Sequence, residues 1–140
     1  MSKIAVVYWS GTGNTEAMAN EVAEGEKAAG AEVDVLTASE FGADKMDAYD
    51  AVAFGCPAMG AEELEDSEFE PMFSDCEGKL GGKKIALFGS YGWGDGEWMR
   101  TWEETCQNDG AVMPNDFVIC NEAPDEDAVN QCKELGKALV

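Results

Sequence analysis

The sequence contains no histidine among its 140 residues and a single arginine, Arg100. The absence of histidine excludes Ser-His-Asp and Cys-His catalysis, zinc sites with a histidine ligand and imidazole general bases. The shortage of basic residues sets 29 acidic side chains against 9 basic ones, a formal net charge of −20. A chain of this charge repels nucleic acid and anionic membranes and attracts basic partners. Since its own side chains offer little hydrolytic chemistry, we expect the protein to work through a bound cofactor.

The sequence also shows no C-x-x-C pair, no segment with the pattern of a signal peptide and no apolar run near the ~20 residues that span a bilayer. Its five cysteines are dispersed, and they are Cys56, Cys76, Cys106, Cys120 and Cys132. This pattern predicts free thiols in a reducing, cytoplasmic environment. The length predicts a single domain over residues 1–140.

Apolar runs typical of strands alternate with segments of helical periodicity. Continuous runs at 4–8, 51–54 and 85–88 predict strands that are buried on both faces of a sheet. The alternating run 32–36 predicts an outer strand, and the apolar segments 111–113 and 117–120 predict an interrupted fifth strand at an edge. Helices are predicted at 14–29, 43–48, 69–77, 96–107 and 125–139.

Five successive strand–helix pairs imply right-handed crossovers and a parallel sheet. For a chain of this size they predict a three-layer α/β fold, with a five-stranded parallel sheet in the order 2-1-3-4-5 and helices on both faces. Ligands of such sheets bind at the carboxyl ends of strands 1 and 3, where the strand order reverses. The loops after these strands are therefore the candidate site.

The loop after the first predicted strand has the composition of a phosphate site. It reads Tyr-Trp-Ser-Gly-Thr-Gly-Asn-Thr-Glu over residues 8–16. Its glycines allow close backbone approach, its hydroxyls donate hydrogen bonds, and the start of the following helix attracts negative charge. No basic residue lies between Lys3 and Lys27, which argues against a nucleoside triphosphate loop, and Glu16 replaces the third glycine of a dinucleotide fingerprint. The loop suits one terminal phosphate held by neutral donors, with an ordinary hydrophilic turn as the alternative.

Two further glycine-rich loops, 55–63 and 89–98, follow the third and fourth predicted strands and are expected at the same sheet edge. The second loop carries Trp93, and a tryptophan among glycines suits stacking on a flat ligand, although packing on its own loop is the alternative. Met59 in the first loop is either a second ligand contact or a simple packing residue. A phosphate site beside an aromatic clamp describes a mononucleotide with a planar head, such as FMN.

The sequence resembles the flavodoxins, and within them the short-chain, clostridial type of anaerobic bacteria. The matching segments are 8–18, 55–71, 83–99 and 121–125, in the same order as in the family. The run Gly-Ser-Tyr-Gly-Trp-Gly-Asp-Gly-Glu-Trp at 89–98 is a highly specific motif. The resemblance implies a flavodoxin-like fold, non-covalently bound FMN and one-electron transfer without substrate turnover.

The resemblance also implies the residues that bind the cofactor. The phosphate would be held by the neutral donors Ser10, Gly11, Thr12, Gly13, Asn14 and Thr15. Trp9 and Ser90 would close that end of the site. The remaining residues of the predicted site are Ala58, Tyr91, Gly92, Gly94 and Asn121.

The flavin ring would lie between Met59 and Trp93. Glu62 would accept a hydrogen bond from the pyrimidine N3–H. The Gly60–Ala61 peptide resembles one that turns over on one-electron reduction, so that the Gly60 carbonyl accepts from the flavin N5–H. Alanine at position 61 differs from the polar residue of many relatives.

Acidic residues are concentrated after predicted strands 3, 4 and 5, beginning with Glu63, Glu65 and Asp66. Their field is expected to oppose the second electron, whose product is an anion, more than the first, which arrives with a proton. The implied function is a low-potential carrier that cycles between the neutral semiquinone and the hydroquinone of FMN. We expect a monomer that docks on basic-surfaced redox proteins, such as reductases and ferredoxin-dependent oxidoreductases, and not on nucleic acid or membranes.

An FMN-dependent NAD(P)H or quinone oxidoreductase of the same fold is the main alternative. Such an enzyme normally recognises its nicotinamide nucleotide through basic residues, and this sequence has few. A phosphoacceptor receiver domain shares the strand order but needs acidic residues where this chain has Trp9 and Cys56. A low-molecular-weight tyrosine phosphatase needs a C-x5-R motif, and none of the five cysteines has an arginine at that spacing.

Overall fold

The computed structural model describes residues 2–11, 13–59, 63–92, 94 and 96–140. Its strands are β1 (Lys3–Tyr8), β2 (Glu32–Thr37), β3 (Ala51–Gly55), β4 (Lys84–Tyr91) and β5 (Val118–Asn121). Its helices are α1 (Asn14–Ala28), α2 (Ala43–Met46), α3 (Phe69–Cys76), α4 (Glu97–Asn108) and α5 (Glu126–Ala138). Short 3₁₀ turns lie at Ala38–Glu40 and Glu77–Lys79.

The five strands form one parallel sheet in the order β2-β1-β3-β4-β5, which confirms the predicted fold and strand order. In the register of the central strands, Ile4 lies opposite Ala51 and Tyr8 lies opposite Gly55. The carboxyl ends of β1 and β3 are therefore level, and the loops that follow them leave the sheet side by side.

Alternate residues of each central strand are buried in separate cores on the two faces of the sheet, which is why the apolar runs are continuous. On β1, Ile4 and Val6 contribute to the core beneath α1 and α5, whereas Ala5 and Val7 contribute to the core beneath α3 and α4. Phe54, fully buried in the second core, packs edge-on against Phe73 with ring centroids 5.2 Å apart. Burial of such a side chain stabilises the fold by ~1.5–3 kcal/mol.

Helices α1 and α5 approach each other closely enough for two glycines to be required. A Cβ atom added at Gly25 of α1 would overlap the carbonyl oxygen of Lys133, and one added at Gly136 of α5 would overlap that of Val22. Glu26 follows the first of these glycines and is fully buried in the same contact. The position of α1 on the sheet is thus fixed by backbone contact with α5.

The interrupted fifth strand forms differently from its prediction. Only Val118–Asn121 pairs as a strand, while the earlier apolar segment contributes a single parallel bridge between Val112 and Lys84. Val112 donates to the Lys83 carbonyl and accepts from the Ile85 N–H, each at 2.8 Å. Pro114 follows shortly after and has no N–H to continue the ladder. β4 in turn runs to Tyr91, beyond its predicted end.

All five cysteines are free and buried. Burial raises the pKa of the Cys56, Cys76, Cys106 and Cys132 thiols to about 12. Such thiols are neutral and act as small apolar groups of the core. Within the part of the chain that the structure describes, none of the helices has the length and apolar character needed to cross a membrane.

Candidate functional site

A cleft of about 530 Å³ opens at the carboxyl edge of the sheet, where the loops after β1, β3, β4 and β5 meet. Four chain segments line it, each at the carboxyl end of a strand. They are Trp9, Ser10 and Gly11 with the first residues of α1, Asn14 and Thr15; Pro57, Ala58 and Met59 after β3; the end of β4, Ser90 and Tyr91, with Gly92; and Glu122 and Ala123 after β5. The cleft includes the switch point between β1 and β3, as the strand order requires.

The first turn of α1 enters the cleft without a side-chain cap. Its N-cap residue is Gly13, whose φ of +96° favours glycine, and no side chain accepts a cap hydrogen bond there. The Gly13 N–H instead donates to the Ser10 Oγ at 3.0 Å, which closes the loop on itself. The N–H groups of a first helical turn have no partner within the helix, and they carry the positive end of its dipole. The arrangement suits an anion beside Asn14 and Thr15.

Ser90 connects the phosphate loop to the neighbouring loops. Its Oγ lies 2.8 Å from the Thr15 Oγ1 in a buried hydroxyl pair, and its carbonyl accepts from the Ala58 N–H at 3.0 Å. One residue of β4 thus holds the start of α1 on one side and the loop after β3 on the other. This explains why β4 continues past its apolar run: Gly89 and Ser90 are buried for packing and polar contact.

Trp98 fixes the loops after β3 and β4 to each other. Its Nε1–H donates to the Cys56 carbonyl at 3.2 Å, and its ring lies 5.6 Å from that of Tyr91. Gly89 allows this contact, because a Cβ atom there would overlap the Cys56 carbonyl oxygen and lie 3.2 Å from the Trp98 ring. The wall of the cleft is therefore held by a buried aromatic side chain that does not itself line it.

Met59 and Glu63 pair with each other within the β3–α3 loop. The backbone N–H of each donates to the carbonyl of the other at 2.8 Å, so the two residues form a narrow antiparallel bridge. This bridge fixes the position of Met59 at the mouth of the cleft. The intervening residues 60–62 lie outside the described part of the chain.

Glu65 is a helix cap rather than a surface acid. The residue is 5% exposed, and its carboxylate accepts from the N–H of Ser67, Glu68 and Phe69 at 3.0, 2.7 and 2.9 Å and also from the Ser67 hydroxyl. Burial acts to raise the pKa of Glu65, but these hydrogen bonds outweigh it and the pKa is lowered. Glu65 therefore differs from the exposed acids beside it in the sequence, because its charge is used at the start of α3.

Most of the described residues predicted to bind the cofactor lie together. Ten of them line the cleft, namely Trp9, Ser10, Gly11, Asn14, Thr15, Ala58, Met59, Ser90, Tyr91 and Gly92. Gly13 lines an adjoining depression that also reaches Trp9 and Ser10. Asn121 lines a separate depression beside Asp125, and Gly94 lines neither. Thr12, Gly60, Glu62 and Trp93 lie outside the described residues.

The structure adds Pro57, Glu122 and Ala123 to the cleft. Glu122 has a φ of +58°, and among the described residues it is the one non-glycine residue with a positive φ. Its N–H donates to the Tyr91 carbonyl at 2.7 Å, which holds this strained turn against β4. The signal that points to these residues in the sequence is their position directly after a strand at the ligand-binding edge.

The cleft is electrically neutral to acidic. No lysine or arginine lines it among the residues that the structure describes, while Glu122 does. Behind the phosphate loop, the Tyr8 hydroxyl donates to the Glu16 carboxylate at 2.8 Å. The pKa of Tyr8 is raised by burial, by this hydrogen bond and by the charges of Glu16 and Glu40. An anion in this cleft would therefore rely on hydrogen bonds and the start of α1, since the described lining offers no cation to neutralise it.

A protein-family model described as flavodoxin matches residues 6–136. The chain belongs to the flavodoxin family. Flavodoxins are electron-transfer proteins that bind FMN and have no substrate turnover of their own, so the protein is a flavodoxin electron carrier with FMN as its cofactor. The resemblance found in the sequence is confirmed.

Flavodoxins of the clostridial type are similar over nearly the whole chain. The flavodoxin of Megasphaera elsdenii is 51% identical over 135 residues, and that of Clostridium beijerinckii is 47% identical over 134 residues; both matches cover 96% of each chain. The solution structure of the two-electron reduced Megasphaera elsdenii protein superposes with a TM-score of 0.89 over 97% of each chain. By contrast, a similarity to an NAD(P)H dehydrogenase (quinone) of Bradyrhizobium covers 47% of this chain, so the comparisons favour a carrier over the alternative enzyme.

Proposed function

We propose that the protein is a low-potential carrier of single electrons, with one FMN held non-covalently in the cleft and cycling between the neutral semiquinone and the hydroquinone. The observation that carries this proposal is the uncapped start of α1 at a cleft of about 530 Å³ between β1 and β3. Bound FMN supplies the redox chemistry, and the residues of the chain bind it, orient it and set its electrostatic surroundings.

The donor set of the phosphate loop suits a terminal phosphate. The Ser10 Oγ already accepts from Gly13, so its own O–H is free to donate into the cleft. The buried Thr15–Ser90 pair has two hydroxyl hydrogens and uses one of them in its mutual bond, which leaves one for a ligand. Together with the N–H groups of the first turn of α1, these donors would hold the phosphate without a basic residue.

The other end of the cleft suits a flat, mostly apolar ring. Ala58, Met59 and Tyr91 offer apolar surface there, and Gly92 offers backbone groups without a side chain in the way. Ala58, Met59 and Tyr91 are each held by a contact described above, so this apolar surface is formed before the ligand arrives. The roles of Gly60, Glu62, Trp93 and Asn121 remain predictions from the family resemblance.

The charge of the chain supports the low potential. Glu122 lines the cleft, Glu63 adjoins it, and the whole chain carries a formal net charge of −20. With no basic side chain lining the described part of the cleft, this field opposes any gain of negative charge there. The same charge would attract basic-surfaced redox proteins to a monomeric carrier and speed their association at low ionic strength.

A comparison of FMN with riboflavin tests the phosphate site. Riboflavin lacks the phosphate, so the apoprotein should bind it about 100-fold more weakly than FMN, the effect of losing hydrogen bonds to a charged group. Affinities are measured by quenching of flavin fluorescence. Riboflavin affinity within a few-fold of that of FMN would contradict the assignment of the loop after β1.

Stepwise reduction of the holoprotein with dithionite tests the carrier proposal. We expect the absorbance of a neutral flavin radical to rise and then fall as reducing equivalents are added. The control is steady-state NADPH oxidation, which the pure protein should not catalyse. Reduction in a single two-electron step, or turnover of NADPH, would contradict a one-electron carrier.

A further inference from the structure

The loop between β3 and α3 leaves the sheet at Cys56 and comes back into contact with the same residue at Glu65. The Cys56 side chain is fully buried, and its Sγ accepts from the Glu65 N–H at 3.4 Å. The same thiol donates to the Pro57 carbonyl at 3.5 Å. One buried sulfur atom therefore contacts the backbone at the beginning and at the end of the loop. We call Cys56, Pro57 and Glu65 the loop base.

Glu65 also holds the start of α3. Its carboxylate accepts from the N–H groups of Ser67, Glu68 and Phe69, and its carbonyl accepts from the Glu70 N–H at 2.8 Å. One residue thus accepts from four consecutive N–H groups at a helix start, where such groups have no partner within the helix. Glu68, the N-cap residue of α3, makes no side-chain cap of its own. Glu65 therefore joins the loop base to the first turn of α3.

The loop base determines the position of Met59, which lines the cofactor cleft. Glu63, two residues before Glu65, is bridged to Met59 by two backbone hydrogen bonds of 2.8 Å. The position of this bridge relative to the sheet depends on the anchors at its two ends. One anchor is the Ala58 N–H, which donates to the Ser90 carbonyl at 3.0 Å, and the other is Glu65. A displacement of Glu65 would therefore be passed through Glu63 to Met59.

We propose that Glu65 is a positioning residue for the cofactor, which holds Met59 against the flavin ring by joining the loop base to α3. The inference rests on the proposed function, which places the ring of FMN in this part of the cleft. Glu65 is not among the residues that line the cleft. It acts through the position of the loop and not through the field of its charge.

Position and charge predict opposite effects of substituting Glu65. FMN binds as an anion, so the removal of a nearby negative charge would by itself leave its release unchanged or make it slower. A displaced Met59 would make release faster, because the ring loses a contact that is formed before it binds.

Two substitutions separate these effects. Glu65→Asp keeps the charge, but short carboxylates accept from N–H groups two or three residues on. It would therefore lose the Phe69 N–H, four residues on, or draw the backbone of residue 65 away from Cys56. Glu65→Gln removes the charge and replaces one acceptor oxygen by a donor NH₂ group.

The first measurement is the release of FMN from the oxidised holoprotein, followed by the return of flavin fluorescence after dilution. Both Glu65 variants should release FMN at least about threefold faster than the parent, since hydrogen bonds to a charged group are among the stronger ones. Asp66→Asn, at the exposed neighbouring position, controls for charge and should stay within about 1.5-fold of the parent. Cys76→Ala, fully buried at the other end of α3, controls for the stability of the helix and should also stay within about 1.5-fold.

The methyl signal of Met59 reports its position directly. Methionine methyl groups are labelled with ¹³C, and the Met59 signal among the seven methionines is identified by its absence from Met59→Leu. Binding of FMN to the parent apoprotein should shift this signal, because a methyl group over an aromatic ring experiences its ring current. In Glu65→Asp holoprotein the signal should move back toward its apoprotein position by more than its linewidth. Asp66→Asn and Cys76→Ala should leave it unmoved.

A Met59 signal that FMN does not shift, or that Glu65→Asp leaves unmoved, would overturn the inference. Slower or unchanged release from Glu65→Gln would overturn it in favour of charge, and equal effects of Cys76→Ala and Glu65→Asp would do so in favour of lost helix stability. None of these measurements requires electron transfer. A holoprotein that shows one-electron steps with dithionite, but whose Glu65 variants behave like the parent, overturns the positioning inference alone. The expected Glu65 effects in a holoprotein that is reduced in one two-electron step overturn the carrier proposal alone.

Discussion

Glu26 makes the stability of this protein depend on pH in an unusual direction. The side chain is fully buried between α1 and α5, and neither carboxylate oxygen has a hydrogen-bond partner among the described residues. Burial raises its pKa from 4.5 to about 8. At neutral pH the folded protein therefore holds a proton on Glu26 that the unfolded chain releases.

The sign and size of the effect follow from proton linkage. Between pH 4.5 and 8 the folded state binds one more proton at this position than the unfolded state, so the free energy of unfolding falls as pH rises. The slope is about 1.4 kcal/mol per pH unit, which gives a loss of about 2.5 kcal/mol between about pH 5.5 and about pH 7.5. Above pH 8 the folded state loses the proton as well, and this contribution becomes constant.

The substitution Glu26→Gln removes the titration and keeps the shape of the side chain. The assay is urea unfolding of holoprotein at a fixed excess of FMN. The free energy of unfolding of the variant, relative to that of the parent, should rise by about 2.5 kcal/mol from about pH 5.5 to about pH 7.5. The control is Glu24→Gln on the exposed side of α1, where Glu24 pairs with Lys27 at 3.9 Å. It removes the same charge from the same helix, but its stability relative to the parent should change little between the two pH values.

Every other acidic residue is common to the parent and Glu26→Gln, so the comparison isolates this one group. If the difference between the two proteins were the same at both pH values, Glu26 would be ionised in the folded state. The α1–α5 contact would then have to contain a partner for its charge, and the reasoning from burial would be refuted.

Three further substitutions test the supports of the cleft by urea unfolding and flavin fluorescence. Gly89→Ala should lower the free energy of unfolding by ~1–3 kcal/mol through overlap with the loop after β3, while Gly78→Ala, with open space around it, should change it little. Glu65→Gln should lower the free energy of unfolding by ~1–2 kcal/mol, because it weakens the cap of α3, whereas Asp66→Asn at the exposed neighbouring position should cause no measurable change. Trp98→Phe should lower the free energy of unfolding by ~1–3 kcal/mol and speed FMN release, because the Cys56 carbonyl behind the cleft loses its donor. Any substitution that matches its control, or unchanged FMN release for Trp98→Phe, would contradict the assigned contact.

The strand order and most element boundaries could be predicted because parallel strands buried on both faces leave continuous apolar runs. The runs at 4–8, 51–54 and 85–88 correspond to β1, β3 and β4 within three residues at each end. The position of the cleft followed from the same pattern, since ligands of such sheets bind where the strand order reverses. That the loop after β1 binds the phosphate stays a prediction, which rests on its residue types.

The features that could not be predicted depend on contacts that leave no periodic pattern. The run of acids after β3 gives no sign that Glu65 is turned inward onto the start of α3 while Asp66 remains exposed. The single bridge of Val112 is too short to produce an alternating run. The indole N–H of Trp102 has no partner among the residues that the structure describes, and this is visible only when the rings that surround it are in place. Each of these depends on a contact between distant or turned segments of the chain and not on spacing along the sequence.

The contact of Gly25 with α5 and that of Gly136 with α1 have a consequence for how this chain tolerates mutation. Any other side chain at either position would meet a backbone carbonyl of the facing helix, which cannot rotate away. A saturation screen for retained FMN binding should therefore reject substitutions at these two glycines as strictly as at Ser10, although neither glycine lines the cleft. Because α1 begins at the phosphate loop, pushing the two helices apart would displace the loop as well. Intolerance to substitution in this protein thus marks the supports of the cofactor site as well as the residues that touch it.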